Sequence, residues 1–290
     1  MLPLGITLRE TRVVMQLNWR DLLALAWMAF LAYALLRIGF MALELSFANS
    51  ARENYAVFLI KREVLGLFSS FLLEFLLVGF YTLAVYRLML LGESAAEPKF
   101  SDTWLRRYMT FLGATFQALA WPCIAFVPYA LLVLLQLMWA NGVTMPDFVP
   151  DVLVRAQWPA NLIKIICAMA FYTCFARFAF VQPAAAVDVL YSPRESWRVT
   201  NWIWGHMLVI TLLTVGLATG LVLGLMLIWP VPSGALQVVS IGLYIFVACG
   251  VWMMGITGFV VALSIAFCLR TGWRPGAQKL SLKRRPSKKK

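Results

Sequence analysis

Six apolar stretches, each roughly 20 residues or longer, organise the chain and limit what it can fold into. They run from Leu22 to Phe47, Val64 to Leu91, Tyr108 to Ala140, Pro159 to Gln182, Gly205 to Trp229 and Gln237 to Leu269. An α-helix of ~20 apolar residues crosses the ~30 Å hydrocarbon core of a bilayer. Inside hydrocarbon every backbone N–H and C=O must be paired within the element, so each stretch is expected to be a helix. Composition excludes the alternatives. Of 290 residues, 62% are hydrophobic and 13% are charged, against roughly a quarter charged in a soluble domain. A soluble domain cannot hide that much apolar surface, and a disordered chain would not carry it. The expected fold class is all-α: a polytopic membrane bundle of six transmembrane helices with interfacial cytoplasmic helices. Residues 1–269 are read as one six-span domain and residues 270–290 as a disordered basic cytoplasmic tail.

Charge placement orients the spans. Six spans put both termini on one side. That side holds 17 Lys and Arg residues, including nine between Arg270 and Lys290, and the other holds four. Basic residues stay cytoplasmic, so both termini are assigned to the cytoplasm. The net charge of +12 falls to +3 without the tail. The basic balance is therefore a property of the tail, not of a nucleic-acid-binding fold. Trp19, Trp104, Trp197, Trp202, Trp204 and Trp273 fall at the proposed inner interface, and Trp139, Trp158 and Trp229 at the outer one. Indole rings prefer that depth. The first apolar run follows Arg9, Arg12 and Arg20. It is too long for a signal core and lacks a small-residue cleavage site, so it is read as the first span.

The connections carry local signals. Pro122 and Pro128 predict a kink in the third span. Gly92 to Arg107 and Ala184 to Trp204 read as long cytoplasmic loops. Ser192-Pro193-Arg194-Glu195 has the form of a capping box, with Ser at the N-cap, Pro at the first position and Glu at the third. The helix it starts places Trp197 and Trp204 seven apart on one face and is expected to lie along the interface. Capping accounts for Ser192, and neither Ser192 nor Ser196 has a histidine base nearby in sequence. Tyr81-Thr82 ahead of Arg87 and Tyr172-Thr173 ahead of Arg177 form a faint internal echo.

Several residues are singled out as sites. Arg37 and Glu74 lie at matching depth, ~15 Å from the outer surface by helical rise, and are read as an intramembrane ion pair. Its structural role is a clamp between neighbouring helices; its functional role is a proton or ion relay. Arg87, Arg177, Asp188 and Glu195 form a polar cluster at the cytoplasmic face, where arginine snorkels, binds phosphate or pairs with an acid. Gly216, Gly220 and Gly224 repeat at four-residue spacing and are expected to pack helices closely within the chain, with a homo-oligomer contact as the alternative and Gly250, Gly255 and Gly258 of the sixth stretch as a partner face. Lys283, Arg284, Arg285, Lys288, Lys289 and Lys290 form a basic run suited to anionic lipid. Cys123, Cys167, Cys174, Cys249 and Cys268 all sit in apolar stretches and read as small buried hydrophobes. His206, the one histidine, has no ligand-like neighbour. No catalytic, cofactor or metal site is expected.

The stretch Arg177-Phe178-Ala179-Phe180-Val181-Gln182-Pro183-Ala184-Ala185-Ala186-Val187-Asp188, followed by Ser196-Trp197-Arg198-Val199-Thr200, resembles the membrane domain found beside some glycerophosphodiester phosphodiesterases, and the related YciC-like bacterial inner-membrane proteins. Those have an arginine, a proline, an acid and then Ser-Trp-x-x-Thr ahead of a span. The acid there is often Glu and here is Asp188. The segment from Arg87 to Arg107, with Leu91-Gly92-Glu93, also looks like membrane proteins of alphaproteobacteria. The resemblance implies a bacterial inner-membrane bundle. It does not imply phosphodiesterase activity, since no catalytic domain accompanies the stretch. The expected role is a non-enzymatic accessory or scaffold protein acting through lipid or protein contacts, with a small transporter or channel using Arg37 and Glu74 as the alternative. Expected partners are the bilayer, anionic lipids at the cytoplasmic face, and a second copy or another membrane protein.

Overall fold

The computed structural model describes residues 4–50, 76–92, 102–140, 157–189, 191–229 and 236–273. Among these residues every regular element is helical. Five helical segments are long and apolar enough to cross a membrane: Trp19–Phe40, Thr103–Gln136, Ile165–Ala186, Trp204–Ile228 and Val239–Thr271. The expected span Val64–Leu91 is described only in its last part, an apolar helical stretch over Leu76–Leu91. The protein is thus a multi-pass helical bundle.

The chain opens with an unexpected element. Helix α1 (Leu4–Leu17) precedes α2 (Trp19–Ser50). The two run on almost without interruption, because Asn18 N–H donates to the Val14 carbonyl at 3.0 Å and Leu22 N–H to the Asn18 carbonyl at 3.0 Å. The Asn18 amide also donates to Val14 O at 2.9 Å, and this side-chain competition marks the joint. The buried residues of α1 are Thr7 and Thr11. Thr11 turns its hydroxyl back onto the Thr7 carbonyl at 2.7 Å, so a polar-looking face packs as an apolar one.

Helix α3 (Gly79–Leu91) ends at Gly92, which has φ 93° and returns its N–H to the Leu88 carbonyl at 3.1 Å. Glycine takes that conformation at no steric cost. Helix α4 (Asp102–Cys123) passes through one 3-10 turn at Ile124–Phe126 into α5 (Val127–Ala140). The irregular turn lies between Pro122 and Pro128, where two N–H donors are missing.

The helix of the fourth span breaks before the expected end at Gln182. Helix α6 (Gln157–Phe178) is followed by a separate short helix α7 (Val181–Ala186). Pro183 has no N–H for the carbonyl of Ala179, and its ring would clash there, so the break falls at Ala179–Phe180. Apart from Gln182, α7 is buried throughout and packs against α4, α3 and the last helix. This corrects the expected loop from Ala184 onward: Ala184, Ala185 and Ala186 belong to the core. The chain continues through α8 (Pro193–Thr200), α9 (Trp204–Thr211), a π turn at Leu212–Gly216, α10 (Leu217–Ile228) and α11 (Leu236–Thr271).

Helix α11 is the axis of the bundle. It packs against α1, α2, α3, α7, α9 and α10. The stretch Phe259–Phe267 is enclosed by protein: Val261, Ala262, Leu263 and Ala266 are fully buried, and Phe267 is held by Phe180, Tyr191 and Trp273. Toward its start α11 keeps Val239, Leu243 and Phe246 exposed, and Met254 at its middle, as a lipid-facing surface would.

The glycine stripe does not do what its spacing suggests. A Cβ on Gly220 or Gly224 would meet nothing within 4 Å, and one on Gly216 would touch only Leu212 and Thr211 of its own turn. The close approach is made by Gly255 of α11, whose Cβ would collide with Ala218 and lie 3.1 Å from the Thr214 carbonyl. The π turn at Leu212–Gly216 explains the change of face. One extra residue in a turn rotates everything after it by about 100°. We therefore expect Gly255→Val to cost about 1–3 kcal/mol through overpacking. Gly220→Ala is expected to be neutral or slightly stabilising. Thermal melting of the purified protein in detergent distinguishes the two outcomes.

Candidate functional site

The polar residues gather where the buried segment α7 leaves the core. The chain turns out through hydrogen bonds from Val187 N–H to Ala184 O (3.2 Å), Asp188 N–H to Ala185 O (3.2 Å) and Val189 N–H to Ala184 O (2.9 Å). This turn puts Asp188 at φ 61°, the one non-glycine residue with positive φ among those described. Aspartate tolerates that region better than most residues, because its short side chain is compatible with it. The strain is still a cost, and functional or packing contacts must hold it.

Two arginines supply those contacts. Asp188 Oδ2 lies 3.3 Å from Arg107 Nε and 3.8 Å from Arg87 Nη1. Arg87 comes from α3, and its side chain is 6% exposed; Arg107 comes from α4, at 43%. Arg87 Nη1 also donates to the Ala186 carbonyl at 2.8 Å, one of the orphan acceptors at the end of α7. One turn back on α7, Gln182 Oε1 accepts from the Tyr86 hydroxyl at 3.2 Å. A buried guanidinium thus ties α3 to α7, and a carboxylate shared by two guanidinium groups leaves the mouth net positive. Arg107 is open enough to meet an anion from outside.

Arg177 and Glu195 belong to a separate arrangement, so the four-residue cluster read from the sequence divides in two. Arg177 stands in the last turn of α6. Its guanidinium lies 4.8 Å above the Trp197 ring and 5.7 Å from that of Trp204, and it donates to Asn201 Oδ1 at 2.5 Å. Its own carbonyl accepts from Ser196 Oγ at 3.0 Å and Thr200 Oγ1 at 2.8 Å. Ser196 and Thr200, buried and one turn apart, therefore close the C-terminal end of α6. That gives the Ser-Trp-x-x-Thr pattern a physical meaning: two hydroxyls cap a carbonyl while the tryptophan covers the arginine beside it. Tyr81-Thr82-Arg87 and Tyr172-Thr173-Arg177 do not reach equivalent surroundings.

Glu195 completes the capping box. Its backbone N–H donates to Ser192 Oγ at 3.2 Å, and its Oε2 accepts from Ser192 N–H at 2.9 Å and from the Ser192 hydroxyl at 3.1 Å. These hydrogen bonds favour the ionised carboxylate and hold Glu195 below the ordinary carboxylate range. Tyr191 is pushed upward, first by burial and then by the Glu195 charge.

The remaining sites stand apart. Glu74 lies outside the described residues, as does the basic run Lys283, Arg284, Arg285, Lys288, Lys289 and Lys290. Arg37 sits with its guanidinium 6.0 Å from the Tyr33 ring. It lines a hollow of about 320 Å³ between α2, α10 and α11, with Thr219, Tyr244 and Trp252. No disulfide joins the five cysteines; Cys167 and Cys249 are buried as expected, whereas Cys123 is exposed, and no group of three or more potential metal ligands occurs among the described residues. Arg107 and Asn201 were not singled out from the sequence. Nothing local marks them, since their partners lie on other helices.

An apolar hollow of about 440 Å³ opens between α1, α2 and α11 and has Tyr81 of α3 in its floor. The Tyr81 hydroxyl is bonded to Thr257 Oγ1 at 2.5 Å, and Thr257 in turn donates to the Met253 carbonyl at 2.7 Å. The polar atoms of the floor are thereby spent on one another.

Comparison with family models, with curated proteins and with solved structures finds no match for the chain.

Two outcomes follow from this geometry. Arg87→Ala removes the α3–α7 tie and is expected to destabilise by about 2–4 kcal/mol, while Asp188→Asn, which keeps the left-handed tolerance and loses the charge, should cost about 1 kcal/mol. Melting temperatures in detergent at low salt read both. The second concerns pH. Because Glu195 has a lowered folded pKa, its cap contributes above the ordinary carboxylate pKa and is lost as pH falls through the lowered value. Protection against hydrogen exchange over residues 193–200, relative to the intrinsic rate at each pH, should fall in that acid window, and Glu195→Gln should remove that change in protection.

Proposed function

We propose that the chain is a non-enzymatic accessory or scaffold protein of a bacterial inner membrane, with both termini cytoplasmic, acting through lipid or protein contacts. The observation that carries this reading is how the polar groups are used. Arg87, Ser196, Thr200 and Glu195 close the ends of the protein's own helices, Asp188 pairs with Arg87 and Arg107, and Arg177 is spent on Asn201. The hollow between α1, α2 and α11 offers an apolar wall instead of reactive groups. The charge asymmetry of the chain supports the orientation, and the resemblance of residues 177–200 to bacterial inner-membrane domains supports the setting. The tail from Lys283 to Lys290 suits an anionic leaflet.

A second reading, a small transporter, draws on Arg37 beside its hollow, since an ionisable residue within a span marks a functional site by default. Photo-crosslinking of the full chain in native membranes, followed by mass spectrometry of lipids and proteins, tests the first reading. A reproducible lipid or protein set is expected. Its absence, together with substrate flux in liposomes that Arg37→Ala abolishes, would replace it with the second.

A further inference from the structure

We propose that the groove between α2 and α11 holds one acyl chain of an anionic phospholipid, with the phosphate held by Arg12 and Arg20 at the joint between α1 and α2. The inference rests on the lipid-contact reading above and gives it a place. Three observations carry it.

The first is the shape and chemistry of the groove. Its walls are Leu23, Ala26, Trp27 and Phe30 of α2 facing Gly250 and Met254 of α11. Its volume of about 440 Å³ lies in the ordinary range for ligand pockets, roughly 300–1,000 Å³. Leu23, Trp27 and Met254 are each more than half exposed, so the groove faces outward along the bundle. Small residues at Ala26 and Gly250 keep the helices from filling it, and the nearest atom to a Cβ on Gly250 would be Phe30 at 3.7 Å. The tyrosine and threonine in the floor are already paired, so the wall offers no unspent hydroxyl to water.

The second is length. From Trp19 to Phe30 the groove follows α2 for about 16 Å at 1.5 Å per residue. That is half of the ~30 Å hydrocarbon core, the depth of one leaflet.

The third is charge at the shallow end and nowhere else along the groove. A second hollow shares Met15 and Trp19 with the first and is lined by Arg12, Gln16 and Thr11. Arg20 lies with its guanidinium 5.6 Å over the Trp19 ring. Arg12 and Arg20 are exposed, as is Trp19. Two guanidinium groups flanking an indole at headgroup depth match a phosphodiester, and arginine recognises that group through its planar fork.

The test uses the full chain in phosphatidylcholine nanodiscs doped with diazirine-tailed phosphatidylglycerol, or with the matching phosphatidylcholine probe. Labelled peptides are mapped by mass spectrometry. Label is expected on 19–30 and 250–254, with the glycerol headgroup favoured over choline by about fivefold for each arginine engaged. Arg12→Gln with Arg20→Gln, both on exposed positions, should equalise the two probes. Ala26→Leu should displace label from the groove and leave it unchanged on the lipid-facing helix α10. Equal labelling by both probes in the parent protein, or label no denser in the groove than on α10, overturns the proposal. So does a groove that yields only crosslinks between copies. Enrichment of anionic probe on the 283–290 tail alone would sink this site while leaving the lipid-contact reading of the protein standing.

Discussion

The length of α11 governs the bundle. Its 36 residues make a rod of about 54 Å, against ~30 Å of hydrocarbon. About 20 Å must therefore be covered by something other than lipid tails. The enclosed stretch Phe259–Phe267 shows which end is covered and by what. α1 runs along it, α7 is wedged beside it, and Tyr191 and Trp273 close on Phe267. Arg270 Nε donates to the Val199 carbonyl at 3.2 Å and so fastens α8 to the same end. The short helices are not decoration on a set of spans. They make up the protein environment that an overlong apolar helix needs once it leaves the bilayer.

This explains why the arginines cluster as they do. A collar made of short helices has many helix ends, and each end leaves carbonyls without partners. Water is partly excluded there, so the partners must come from side chains. Arg87 donates to the Ala186 carbonyl and Ser196 and Thr200 to that of Arg177, while at the exposed start of α8 Glu195 accepts from the Ser192 N–H. Charge follows from that need: Arg87 is too enclosed to stand alone, and Asp188 accepts a left-handed backbone to reach it. Arg107 then balances the part of Asp188 that Arg87 does not.

How much of this was legible in the sequence depends on whether the information is local. Run length determines that a segment is an apolar helix, so the all-α membrane class could be read directly. The capping box could be read as well, because Ser192 and Glu195 are three residues apart and need no distant partner. α1 could not, since its buried positions are threonines whose hydroxyls are satisfied within the helix. α7 could not, because Gln-Pro-Ala-Ala-Ala resembles a linker until α3 and α4 are placed on either side of it. The split of the arginine cluster was hidden for the same reason: Arg87 and Arg177 sit at similar depth but face different neighbours.

The glycine stripe is the sharpest case. Spacing of four tells which residues share a face, but not which way that face points. In water, burial would decide the question, because an apolar face turns inward. In a bilayer both directions are apolar, and the decision passes to packing and backbone geometry. Here a π turn at Leu212–Gly216 sets it. Thr214 and Ala218 turn toward Gly255, and Gly220 and Gly224 turn away. The same indifference leaves an apolar groove open between α2 and α11, since lipid fills it at no hydrophobic cost. What singles out that groove from any other lipid-facing surface is the charge at its end. Arg12 and Arg20 sit where α1 leaves the hydrocarbon to follow α11, so the constraint that shapes the collar also places a phosphate-sized charge at the head of a chain-sized slot.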